Sequence, residues 1–124
     1  MRALVIDDAR TVRLIIRSIL TELGMEVIEA GNGREGLDRL RANDDVRLVL
    51  VDWNMPEMNG LEFVQAVRAD RGYDAVRIMM VTTETEQEQV LRALTAGANE
   101  YLMKPFTKEI LVAKLSLLDA HGGE

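Results

Sequence analysis

Five short runs of β-forming residues, each followed by a stretch with helical spacing, constrain this chain more than any other feature. The runs are Ala3–Ile6, Glu26–Ala30, Leu48–Val51, Val76–Thr82 and Glu100–Met103. Leu48, Val49, Leu50 and Val51 form an unbroken apolar run, which suits a strand buried on both faces of a parallel sheet. The intervening stretches read as helices. Thr11 to Leu23 carries Leu14, Ile15, Ile19, Leu20 and Leu23 on one face, with Arg13 and Arg17 opposite, and Gly24 suits the left-handed position that stops it. Gly36 to Ala42 is a weaker helix behind a Gly31-Asn32-Gly33 loop in which Asn32 can cap. Gly60 to Asp70 turns Leu61, Val64 and Val67 inward, and Thr83 to Ala96 does the same with Val90, Leu91 and Leu94. Thr107 can cap a last helix from Lys108 to about Leu118, with Ile110, Leu111, Leu115 and Leu118 facing in. Strands alternating with helices imply a doubly wound α/β fold: (βα)5, a five-stranded parallel sheet with helices on both faces. One domain over residues 1–124 is expected, since the chain is too short for an eightfold barrel.

Composition excludes several classes of chemistry. There is no cysteine, so thiolate metal sites, disulfides and cysteine nucleophiles are out. The one histidine, His121, lies in the terminal His-Gly-Gly-Glu, which rules out a histidine cluster or a histidine-based triad. A net charge of −6 argues against nucleic acid or an anionic membrane as the main partner. No apolar run has the length of a membrane span, and the four apolar residues after Met1-Arg2 are too few for a signal-peptide core. A cytoplasmic, monomeric protein is the expectation.

The chemistry lies at the carboxyl ends of the strands, the edge where open parallel sheets hold their ligands. Asp7 and Asp8 follow the first run, Asp52 the third, Thr82 and Thr83 end the fourth, and Lys104 follows the fifth. Singly, each has an ordinary structural reading: helix-entry acids, a strand terminator, a β-branched residue and a helix cap, a solvated cation. Jointly, three acids, a hydroxyl and a lysine on one edge suit phosphoryl transfer to a carboxylate. Crowded carboxylates raise each other's pKa, and a hard divalent cation such as Mg²⁺, which takes oxygen ligands, relieves the repulsion. Asp52 can then act as nucleophile, because carboxylates form acyl phosphates. The cation and a lysine ammonium neutralise charge on the transferring group. Two rivals fit less well. A flavin-binding protein of this topology wants a phosphate loop where Asp7 and Asp8 stand. A haloacid-dehalogenase-type phosphatase, to which Asp52-Trp53-Asn54 has a faint likeness, places its nucleophile after the first strand and needs room for a cap.

Ile6-Asp7-Asp8, Val51-Asp52-Trp53-Asn54-Met55-Pro56, Asn59-Gly60, Val81-Thr82-Thr83-Glu84 and the run from Gly97 to Phe106 together resemble the receiver domain of two-component response regulators, over essentially the whole chain. Among these the likeness is to the single-domain, CheY-like chemotaxis receivers with a flavodoxin-like fold. The resemblance implies that Asp52 is the phosphoacceptor, Asp8 a direct Mg²⁺ ligand, Asp7 a ligand through water, and the Asn54 backbone carbonyl the remaining protein ligand. It implies that Thr82 is the switch hydroxyl, Tyr101 the switch aromatic and Lys104 the phosphate-binding cation, with a cis Lys104-Pro105 peptide. Asn54, Thr83 and Glu84 would tune the lifetime of the phosphorylated state. Thr83 departs from the small residue usual after the switch hydroxyl and would crowd the pocket. The implied partners are a sensor histidine kinase and a downstream protein, either a flagellar motor switch or, for a phosphorelay shuttle, a histidine phosphotransfer protein. With the chain closing soon after the fifth helix, output is expected through protein binding.

Overall fold

The computed structural model describes residues 2–83 and 87–122, with side chains left out at 87, 88 and 119–122. Five strands, β1 (Arg2–Ile6), β2 (Glu26–Ala30), β3 (Val46–Asp52), β4 (Arg77–Thr82) and β5 (Glu100–Met103), alternate with five helices. The helices are α1 (Arg10–Glu22), α2 (Gly33–Ala42), α3 (Gly60–Arg68), α4 (Gln87–Ala96) and α5 (Lys108–Gly122). All strands are parallel in the order β2-β1-β3-β4-β5, so the doubly wound expectation holds. Because the order reverses beside β1, the carboxyl ends of β1 and β3 flank the crevice where such sheets bind ligands.

Alternation along the strands divides the core in two. Leu4, Ile6, Val49, Val51, Ile78 and Met80 point to one face, where Leu37, Leu40, Phe63, Val64, Val67 and Ala93 of α2, α3 and α4 cover them. Ala3, Val5, Leu48, Leu50, Met79 and Val81 point to the other, under Ile16, Ile19 and Leu20 of α1 and Leu111, Leu115 and Leu118 of α5. The central strands are thus buried on both sides, which explains why β3 reads as an apolar run rather than as an alternation.

The helix faces need correction. In α1 the buried stripe is Ile16, Ile19 and Leu20, while Leu14, Ile15 and Leu23 are exposed. Arg13 is half-buried and Arg17 exposed, and both bond Glu29 on β2. In α4 the inward residue is Ala93, with Leu91 and Leu94 exposed, and in α5 Ile110 is exposed. The cause is shared: apolar residues extend beyond the buried stripe of each of these helices, so a leucine count does not say which part meets the sheet. Phe63 rather than Leu61 is the large buried residue of α3, although Leu61 still packs at the core's margin. Thr83 is a bend at the end of β4 rather than a helical residue, and residues 84–86 lie outside the described ones.

The expected local signals operate. Asn32 accepts a hydrogen bond from the Glu35 amide, and Thr107 from the Ile110 amide. Gly24 at φ 90° and Gly97 at φ 119° hold left-handed positions after α1 and α4. No helix among the described residues is long and apolar enough to cross a membrane.

Candidate functional site: an acid cluster with a lysine

The sheet brings the predicted groups to one edge. Asp52 is the last residue of β3, Thr82 the last of β4, Asp7 and Asp8 follow β1, and Lys104 follows β5. Asp7, Asp52 and Thr82 are the buried polar residues among the described core, and Asp8 is exposed. One carboxylate oxygen from each of Asp7, Asp8 and Asp52 lies within 4.8 Å of the others. The Lys104 ammonium reaches into this cluster, 2.9 Å from Asp7 Oδ2 and 3.3 Å from Asp52 Oδ1.

Backbone hydrogen bonds set these positions. The Lys104 amide donates to the Thr82 carbonyl at 2.8 Å, tying the end of β5 to the end of β4. The Trp53 amide donates to the Val81 carbonyl, and the Gly60 amide to the Trp53 carbonyl, both at 2.9 Å. The loop from Trp53 to Asn59 therefore leaves β3 and returns against it. Gly60 permits this return, since a Cβ there would stand 2.4 Å from the Asp52 carbonyl oxygen. Asn59 begins α3 with a reciprocal cap: its side chain accepts from the Glu62 amide, and the Glu62 carboxylate accepts from the Asn59 amide. The Lys104-Pro105 peptide is cis, as the resemblance implied.

The electrostatics are those of a cluster short of positive charge. Burial, reinforced by the Asp7 carboxylate, pushes the Asp52 pKa up to about 6, and the Lys104 ammonium only partly offsets this. For Lys104, burial works against the charged form, but the hydrogen bond to Asp7 and the charge of Asp52 outweigh it and hold the pKa above its ordinary value. One cation serves two buried carboxylates, with the exposed Asp8 alongside. These oxygen donors fit a hard divalent cation that needs few protein ligands and keeps waters, and they do not fit a softer metal.

The other predicted residues lie around this centre. Asn54 is exposed, two residues beyond Asp52. Thr83 is exposed and lines an open groove of about 370 Å³ with Val12, Ile15, Lys104, Pro105 and Phe106. Glu84 falls outside the described residues. Tyr101 is half-buried on β5, away from the acids. Its ring lies under the Lys114 ammonium, 3.8 Å from the centroid, and that ammonium is 3.1 Å from Glu100 Oε1. Sequence reading missed Lys114, and it missed Arg13, which bonds the Asp7 backbone carbonyl. Both signals were present as helical phase: Arg13 lies in the first turns of a helix that starts beside the acids, and Lys114 on the helix following β5.

Comparison with known proteins agrees with this geometry. The family model for the response regulator receiver domain matches residues 3–116. The chain is 49% identical over 126 residues to a chemotaxis protein CheY homolog of Campylobacter jejuni, covering 100% of this chain and 97% of that one. It is 47% identical over 119 residues to chemotaxis protein CheY1 of Helicobacter pylori, covering 95% and 96%. Among solved structures, chemotaxis protein CheY4 of Vibrio cholerae superposes with a TM-score of 0.87 at 36% identity, covering 94% of this chain and 96% of that one.

A doubly wound sheet with an acid cluster and lysine at its switch edge, matched over nearly its full length by that model, places the chain in the response regulator receiver family. Members are phosphorylation-activated signalling switches rather than classical enzymes, and this chain is of the CheY-like kind.

Proposed function

We propose that Asp52 is the phosphoacceptor of a chemotaxis switch, that Asp7 and Asp8 hold Mg²⁺ beside it, and that Lys104 and Thr82 read the phosphoryl group. The observation that carries this is the Lys104 ammonium bridging Asp7 and Asp52 inside a ring of three carboxylates. Burying two acids around one lysine is costly for folding, and groups perturbed in this way cluster at functional sites.

In this reading an Asp52 carboxylate oxygen attacks phosphorus, the new O–P bond forms, and the bond to a kinase phosphohistidine nitrogen breaks. Asp7, Asp8 and Asp52, with the Asn54 backbone carbonyl, would hold Mg²⁺, which supplies charge neutralisation for the phosphoryl oxygens. Lys104 already stands where a phosphoryl group on Asp52 would arrive, and it exchanges its carboxylate contacts for a phosphoryl oxygen. Thr82, at the end of the neighbouring strand, offers a hydroxyl to another oxygen. Its displacement opens space on β5's side of the sheet, and Tyr101 turns into that space. To do so the ring must leave the Lys114 ammonium, so α5 has a stake in the resting position. Asn54 and Thr83 rim the water's path, and the identities of Asn54, Thr83 and Glu84 set how long the phosphate lasts. Thr83 narrows it, so Thr83→Ala should speed both phosphorylation by small donors and hydrolysis, read from Trp53 fluorescence. Slower or unchanged rates would return Thr83 to a purely structural role.

The partners in this reading are a sensor histidine kinase and a flagellar motor switch, in the cytoplasm, with the receiver monomeric. This extends to the chain what the relatives' names say of chemotaxis. A pull-down with and without beryllofluoride, a phosphoryl mimic, tests the output. Motor-switch protein captured only with the mimic is expected; capture of a histidine phosphotransfer protein instead would make this a phosphorelay shuttle.

A further inference from the structure

Asp7 is held at every polar atom. Its amide donates to the Ala30 carbonyl at 3.1 Å, and its Oδ1 accepts from the Ala9 amide at 2.8 Å. Its Oδ2 accepts from Lys104 at 2.9 Å, and its backbone carbonyl accepts from Arg13 Nη1 at 2.5 Å. The last bond is the unusual one, because that carbonyl belongs to the peptide joining Asp7 to Asp8. The direction in which Asp8 leaves the backbone follows from the plane of this peptide.

Arg13 is itself anchored. Its Nε donates to Glu29 Oε1 at 3.0 Å, while Arg17 Nη1 donates to Glu29 Oε2 at 2.7 Å. The Arg13 and Glu29 side chains are 18% and 20% exposed, so this is a partly buried bond and not a loose surface pair. Although burial works against the charged form of Glu29, the two arginines hold its pKa below the ordinary value, so the anchor stays ionised. A planar guanidinium can serve a carboxylate with one nitrogen and a carbonyl with another in fixed geometry, which an ammonium cannot.

We propose that Arg13 is a positioning residue for the acid pair: braced by Glu29, it fixes the peptide plane between Asp7 and Asp8 and so aims the Asp8 carboxylate into the cluster with Asp7 and Asp52. The proposal rests on the reading of these three acids as the Mg²⁺ site. It assigns α1 and β2 a part in the centre that the strand-end residues alone do not reveal.

The test exploits a difference in sign. Arg13→Met removes a positive charge beside an acidic site, which on charge alone strengthens Mg²⁺ binding. Positioning demands the reverse, because groups that orient metal ligands typically contribute about tenfold or more in affinity. Mg²⁺ affinity is read by titration of Trp53 fluorescence, the tryptophan next to Asp52. Arg13→Met is expected to bind Mg²⁺ about tenfold more weakly than the unsubstituted chain. Arg13→Lys, which keeps the charge and disturbs the fold least, is expected to bind it roughly threefold or more weakly, because it cannot serve both acceptors. Affinity equal to or tighter than that of the unsubstituted chain in either variant overturns the positioning role. If the unsubstituted chain itself shows no Mg²⁺ response, the metal-site reading fails along with it.

Discussion

Asp52 combines burial with crowding, and its chemistry follows from both. Its pKa, pushed up to about 6 in the folded chain, stands against an ordinary value of 3.8, a difference on the order of 3 kcal/mol. The sign is fixed by the order of the two values. Folding favours the protonated form, so the cost of the ionised group is felt fully above pH 6 and disappears as pH falls below the unfolded value. Asp52→Asn should therefore raise the urea midpoint at pH 7.5, and the gain over the unsubstituted chain should vanish near pH 4. A gain independent of pH would mean that Asp52 is not strained by its ionisation. Lys104 carries the opposite expectation. Its ammonium competes with a divalent cation for the same carboxylates, so Lys104→Ala should still bind Mg²⁺, and more tightly, while losing phosphorylation-dependent partner binding. Tightened partner binding on phosphorylation of Lys104→Ala would refute its sensing role.

At the scale of the elements, the site depends on how helices meet strand ends. The Asn59 cap starts α3 on the carbonyl side of Asp52, and removing the bond its side chain accepts from the Glu62 amide by Asn59→Ala should cost about 1 kcal/mol in chemical unfolding. Gly60→Ala should do more, because its Cβ meets the Asp52 carbonyl oxygen and Met80 Sδ with no room to give. A loss of about 1–3 kcal/mol is expected, together with slower phosphorylation. Full activity in that variant would show that the loop can retreat from β3. The turn itself was legible in Asn59-Gly60, since both residues have strong local preferences. The helix faces were not: with Leu14, Ile15, Ile16, Ile19 and Leu20 all in α1, the apolar arc is wide, and the sheet beneath decides which part is buried. The same holds for Leu91 and Leu94 of α4, where the small Ala93 makes the contact.

Across the whole molecule, the parallel sheet, and with it the edge that gathers Asp7, Asp8, Asp52, Thr82 and Lys104, could be anticipated because alternating βα units permit few arrangements. The strand-end residues announced themselves by type and position. The residues that brace them did not, because Arg13, Glu29 and Lys114 look like ordinary surface charges until the fold sets them against a carbonyl, two arginines and an aromatic ring. The assembled edge supports one central claim, that a phosphoryl group is accepted on Asp52 with Mg²⁺ present. The most direct measurement is intact-mass analysis after incubation with acetyl phosphate, followed by borohydride reduction and peptide mapping to locate the acyl phosphate. One phosphoryl group per chain is expected, dependent on Mg²⁺, absent in Asp52→Asn, and mapped by reduction to position 52. Phosphate on another residue, or undiminished incorporation in Asp52→Asn, would contradict the account.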